Sequence, residues 1–148
     1  MIQNGAANPP STTVWYLVFS LDGQRFAVAV RSVKRVVRMV EITPLHAESQ
    51  YLRGVIDVEG IIVPAYDTRR ILGLPEKDID LTDHLIIATV GERSLALIVD
   101  SVLDVRVLDH TSAAASGTVA TEDGIVSIQA LESFLQGLAA RLQGGGTV

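Results

Sequence analysis

Residues 51–75 read YLRGVIDVEGIIVPAYDTRRILGLP, and this stretch decides how the rest of the chain is understood. An apolar run carries Gly54 and Gly60, has Pro64 inside it, and holds Asp57, Glu59 and Asp67 at close spacing. The β-branched residues predict two strands, Gly54 to Asp57 and Ile61 to Tyr66, joined by a turn through Val58, Glu59 and Gly60. Proline has no N–H for a ladder, so the Pro64 strand is expected at a sheet edge or a bulge. Asp67 or Thr68 is expected to cap a short helical turn, TRRILG, with Gly73 just past its end and Pro75 beyond. On one strand Asp57 and Glu59 would share a face, which makes an acid/base pair geometrically possible. Against that, Glu59 precedes a turn glycine and Asp67 precedes a helical turn, positions where acids ordinarily satisfy backbone N–H groups. Gly54 and Gly60 let the chain turn tightly or approach another backbone.

Outward from this stretch the chain is a series of short strands. VWYLVFS (Val14 to Ser20) and QRFAVAV (Gln24 to Val30) flank Asp22-Gly23, a strong hairpin signal. Val33 to Val40 is a third strand, broken by Thr43-Pro44. Residues Pro75 to Leu81 form an acidic connector. His84 to Val90 and Ser94 to Asp100 form another hairpin about Gly91-Glu92, and Val102 to Leu108 a further strand. The small, polar stretch from Asp109 to Gly124 is expected to be a loop, followed by a short strand, GIVSI. Ile128, Leu131, Leu135, Leu138 and Leu142 recur at spacings of three and four, predicting a helix over 128–142 with Ser127 as its N-cap and Gly137 as a weak point. Residues 1–13 are expected to be a disordered lead-in, 14–142 the folded domain, and 143–148 a disordered tail. Many short strands with regular turns and one good helix suggest small barrels or a sandwich.

Composition narrows the function. The chain has 148 residues, enough for one domain or two intimately packed lobes, and its mean hydropathy is +0.35. No apolar run approaches the ~18 residues of a spanning helix, so membrane insertion is not expected. The N-terminus lacks the basic and apolar regions of a signal peptide, which points to the cytoplasm. There is no cysteine, which removes disulfides, thiolate catalysis and cysteine-ligated metals. The formal net charge is −5, and 5% of residues are aromatic, so neither the basic surface nor the stacking platform of a nucleic-acid binder is present. Arg31, Lys34, Arg35 and Arg38 do crowd together, either as a solvated strand face or as a docking patch for an acidic protein surface. No nucleophile elbow or phosphate loop occurs. His46, His84 and His110 are scattered without ligand spacing, and Asp78, Asp80 and Asp83 lack the remainder of a calcium loop. The expectation is a protein that is not an enzyme and carries no metal or cofactor.

The opening stretch also resembles the signature of the CheW-like domain, the coupling module of bacterial chemosensory systems, which has the form G-V-x-N-L-R-G-x-V-x-P-V-x-D-L-R. Here Gly54-Val55-Ile56, Gly60-Ile61-Ile62-Val63-Pro64 and Ala65-Tyr66-Asp67-Thr68-Arg69 follow it in order. YLVFSLDGQRFAVAV looks like the family's opening hairpin, LALIVDSVLDVRVL like its I-V-D-x-V-x-D-V strand pair, and GIVSIQALESFL like its closing strand and helix. The resemblance, over Val14 to Leu142, implies two SH3-like five-stranded β-barrels packed together, with no catalysis. It implies an adaptor bridging the cytoplasmic tip of a chemoreceptor to the regulatory domain of a histidine kinase. The alternative is a scaffold that self-associates or regulates another output. The partner-binding positions that it marks here are Arg35, Val36, Arg38, Gly54, Asp57, Val58, Glu59 and Gly60.

Two charges depart from the family pattern. Asp57-Val58-Glu59-Gly60 stands where Asn-Leu-Arg-Gly is common, and Val33-Lys34-Arg35 where valine-x-glutamate is common. The resemblance places these positions near each other, so Arg35 is expected to face Glu59 as a pair of swapped sign. The segment from Asp109 to Gly124 is also short for the family. One barrel is therefore expected either to lack a strand and keep an open edge, or simply to carry a loop there.

Overall fold

The β1 strand, Thr13–Leu21, is apolar on both faces because both faces are buried. Leu17, Phe19 and Leu21 point one way, and Tyr16 and Val18 point the other. The same division runs through β2 (Gln24–Ala29), β7 (His84–Val90) and β8 (Arg93–Val99). It creates three cores among the described residues. Tyr16, Val18, Ala27, Ala29, Leu108, Val126 and Ile128 fill the first lobe. Ile56, Val63, Ala65, Leu85, Ile87, Ala96 and Ile98 fill the second. Between the lobes, Phe19 stacks on Phe26 and packs with Ile86, Leu97 and Val99. The structure is a computed structural model that describes residues 13–45, 49–111 and 116–144, with side chains to residue 141.

The first lobe is a five-stranded sheet ordered β10-β11-β2-β1-β9, where β9 is Ser101–Asp109, β10 Thr118–Thr121 and β11 Gly124–Ser127. The second is a six-stranded sheet ordered β3-β7-β8-β6-β5-β4, where β3 is Val33–Arg38, β4 Thr43–Pro44, β5 Leu52–Val58 and β6 Ile61–Asp67. A mainly β protein of two packed small sheets is what the sequence led one to expect. The second lobe gains a strand because Thr43-Pro44, read as a breaker, pairs with Val55 and Gly54. A 3₁₀ turn, Val30–Ser32, lies between β2 and β3 and carries the chain from one lobe to the other.

Three local expectations are corrected. Pro64 is not on an edge strand: β6 lies between β8 and β5, but its ladder to β8 runs from Ala65 to Asp67, past the proline, so no bond to β8 is lost there. The stretch from Asp109 to Gly124 is not only a loop, because Thr118–Thr121 pairs with β11 as a hairpin; its residues 112–115 lie outside the described residues. Ser127 is not the N-cap of the closing helix. It sits in the ladder opposite Phe26, and the helix, α2, spans Gln129–Gly144. The carbonyl of Gly117 accepts from the N–H of Ile128 at 2.9 Å and from that of Gln129 at 3.2 Å, in place of a side-chain cap. Ile128, Leu131 and Leu135 are buried as the periodicity predicted, and Phe134 meets Tyr51 and Tyr66 edge-on, fixing the helix to the second lobe.

Candidate functional site

The hairpin β5–β6 turns through Glu59 (φ 52°) and Gly60 (φ 87°), both in the left-handed conformation that a two-residue hairpin of this twist requires. The carboxylate of Asp57 accepts the N–H of Gly60 at 2.7 Å and so braces the turn. Glu59 leaves the turn toward β3, where the guanidinium of Arg35 donates to its Oε1. The swapped charges therefore meet. Asp57 and Glu59 do not share a strand face, as an acid/base pair would need. One carboxylate serves the backbone and the other is held by a cation, and both residues are exposed.

The eight positions singled out in the sequence divide. Arg35, Asp57, Val58, Glu59 and Gly60 come together at one end of the second lobe. Gly54 does not: it is buried against β4, and a Cβ there would sit 2.2 Å from the carbonyl oxygen of Thr43. Val36 stands across from Ile86, of the inter-lobe core, whereas Arg35 stands across from Ile87, of the second lobe's interior. Consecutive strand residues point to opposite faces, so Val36 and Arg38 lie on the far side of β3 from Arg35. The set is thus two surfaces meeting at the β3 edge.

Exposed apolar residues were not singled out in the sequence, and they lie both beside the turn and on the first lobe. Ile61 and Ile62, next to the turn, are each 63% exposed. On the first lobe Leu103, Val105 and Val107 of β9 are exposed, and Trp15, directly across from Val107, is 59% exposed. The legible signal for this second patch was that β9 alternates strictly, LDVRV, with its apolar residues outward.

The charged end of the signature is structural. Asp67 is buried, caps the helical turn α1 (Thr68–Ile71) by accepting the N–H of Arg70 at 3.3 Å, and receives Arg53 at 2.9 Å. Arg69 is buried too. It donates to Asp100 at 2.6 Å and to the carbonyl of Pro75 at 2.9 Å, and stands 3.6 Å from Asp22 of the β1–β2 turn, so it ties the lobes together. In the connector, Thr82 donates its N–H and then its hydroxyl to Asp80, which with the nearby Lys77 holds that carboxyl below the usual range. His84 and His110 lie apart, the latter bonded to the Tyr16 hydroxyl at 2.9 Å, and His46 falls outside the described residues.

Two β lobes welded by a shared core, presenting an ion-paired hairpin and exposed apolar rows, define a docking module that works through its surfaces. Residues 15–134 match the family model for the CheW-like domain, and the chain belongs to that family. It is 28% identical to the chemotaxis protein CheW of Bacillus subtilis over 113 residues, 76% of this chain and 72% of that one. It is 30% identical to that of Thermotoga maritima over 89 residues, 60% of this chain and 58% of that one. Among solved structures, the scaffolding protein TtCheW of Thermoanaerobacter tengcongensis has the same fold, with a TM-score of 0.68 at 24% identity over 78% of this chain and 87% of that one. Among the described residues, no helix is long and apolar enough to cross a membrane.

Proposed function

We propose that this protein is a non-catalytic adaptor that couples chemoreceptors to a histidine kinase in the cytoplasm, with partner choice altered by the Arg35–Glu59 pair. The observation that carries the reading is this pair at the hairpin tip, flanked by Ile61 and Ile62. An exposed ion pair contributes only ~0.2–1 kcal/mol to stability. Across an interface, however, like charges are costly, so a reversed pair selects a partner of reversed charge. The relatives' description as chemotaxis and scaffolding proteins supports the same class. The second reading, a self-associating scaffold without receptor coupling, is favoured by the exposed row of Trp15, Leu103, Val105 and Val107, an apolar patch of the kind that marks protein interaction sites.

The test is a titration against the regulatory domain of a histidine kinase from the same organism, run beside the double reversal Arg35→Glu with Glu59→Arg. Micromolar binding that the reversal weakens supports a kinase adaptor of altered specificity. Binding that appears only after reversal assigns the native surface to another partner of complementary charge. Sedimentation of the chain alone, with Val107→Glu as control, decides whether the apolar row joins copies.

A further inference from the structure

The end strands of the first lobe's sheet are β9 and β10, and among the described residues neither has a ladder on its outer edge. They flank the stretch where the sequence allowed an open edge, and they face each other across a groove of about 500 Å³. Residues 106–109 form one wall, and residues 119–122, of β10 and the turn after it, form the other. Both walls are accessible: Val107 is 46% exposed, and Ala120 and Glu122 are exposed as well. Leu108, of the first-lobe core, and Val119, packed against that core, make the floor apolar. At one end the charges are uneven. Arg106 stands 2.9 Å from Asp123, 3.4 Å from Asp104 and 3.7 Å from Glu122, so one guanidinium serves three carboxylates. Arg25 reaches only Asp123, at 4.0 Å. Glu122 is the most open of the three acids, with its side chain 86% exposed.

An end strand carries N–H and C=O groups without ladder partners, and two such edges facing each other offer partners on both sides of one incoming strand. Arg106 meets residues 122 and 123, while the chain passes from β9 to β10 beyond Asp109, so the two edges run antiparallel. A strand between them is therefore parallel to one and antiparallel to the other. The groove lies open along the surface, which suits an extended chain rather than a small ligand enclosed on most sides. Inward side chains of that chain meet Leu108 and Val119, a floor that suits short branched residues, and the alternate ones face water. The excess of carboxylates asks for a cation level with Glu122. We propose that this open seam is a second docking site, which takes a short extended segment of a partner protein as a strand inserted between β9 and β10. The segment alternates branched apolar residues with polar ones and carries an arginine or lysine against Glu122. The inference goes beyond the adaptor reading and uses no residue of the Arg35–Glu59 surface, so the two stand or fall separately.

The experiment uses the full chain, amide NMR and two acetylated, amidated hexapeptides, Arg-Val-Thr-Val-Thr-Val and its reverse, to allow either strand direction. The same peptides with glutamate in place of arginine are the controls. At millimolar peptide, one arginine peptide is expected to shift the amides of Val107, Val119 and Ala120 and to slow exchange at the edge amides of both strands. Its glutamate control should bind several-fold more weakly. Glu122→Lys, at an exposed turn position, should invert that preference while leaving the kinase-domain titration unchanged. No shift at β9 and β10 with either arginine peptide would overturn the proposal. So would equal affinity for the arginine and glutamate peptides, a preference that Glu122→Lys leaves as it was, or protection confined to one of the two strands. Copies joined through the Trp15 row would respond to chain concentration rather than to peptide, which keeps that reading separate.

Discussion

Glu59 shows how a single residue can hold two demands at once. Its φ of 52° is one that a side chain rarely adopts, and its carboxylate is bound to Arg35. A strained backbone is kept where the side chain has a use that glycine could not serve. Gly54 is the opposite case, a position where any side chain is excluded. A Cβ would meet not only the Thr43 carbonyl oxygen at 2.2 Å but also its carbon at 2.8 Å, and both are backbone atoms of β4 that cannot rotate away. Gly54→Ala is therefore expected to displace β4 and to destabilise the fold by on the order of 2–4 kcal/mol in denaturant titrations. An unchanged midpoint would mean that β4 is free to move. Family resemblance marked Gly54 and Gly60 alike, yet only Gly60 lies on the exposed turn.

At the scale of elements, α2 was found correctly by its apolar periodicity, but its start was not. The Ser127 hydroxyl offered a plausible cap; the ladder to β2 claimed that residue's backbone, and Gly117, well upstream of the helix, took over the orphan N–H groups. Gly117 has φ +79°, and a Cβ there would lie 3.2 Å from that of Gln129, so the glycine is needed for this approach. Gly137 has no such constraint, since nothing lies within 4 Å of where its Cβ would be. Gly137→Ala is expected to raise stability by up to about 1 kcal/mol, read as a higher denaturant midpoint at unchanged slope. The β10 strand escaped the sequence reading for a related reason. Thr118–Thr121 has too little apolar pattern to announce itself, and it is a strand only because β11 pairs with it.

For the whole molecule, the question is what keeps two lobes in one arrangement. The apolar core between them is one answer, and the Arg69 network is the other. Asp22 comes from the first lobe, Arg69 from the second, and Asp100 from the junction of β8 and β9; the Asp100 carboxylate also accepts the N–H of Asp22 at 2.9 Å. Removing one member of a buried pair leaves charge without a partner. Arg69→Met keeps most of the volume but takes the cation from Asp22 and leaves Asp100 with Lys77, 3.9 Å away, and the N–H of Asp22. Because Asp22 and Asp100 are partly exposed, the expected loss is about 2–3 kcal/mol, at the low end for buried pairs. Chemical denaturation checks the size, and amide exchange at the β1–β2 turn checks the place. A loss without faster exchange at Asp22 would show that Arg69 serves the second lobe alone.

The sequence by itself determined the class of fold, the hairpins at Asp22-Gly23 and Glu59-Gly60, the apolar face of α2 and the family, because each rests on local pattern or on a contiguous motif. It also contained the opposed charges Arg35 and Glu59, though only the folded chain brings them into contact. What the tertiary structure alone decided are the features that depend on which strands become neighbours. These are the interior place of β6 despite Pro64, the burial of Gly54 and the strand at Thr118–Thr121. Pairing between distant strands is set by the competition of all ladders for partners and by the packing of both faces, and no short window of sequence records the outcome of that competition.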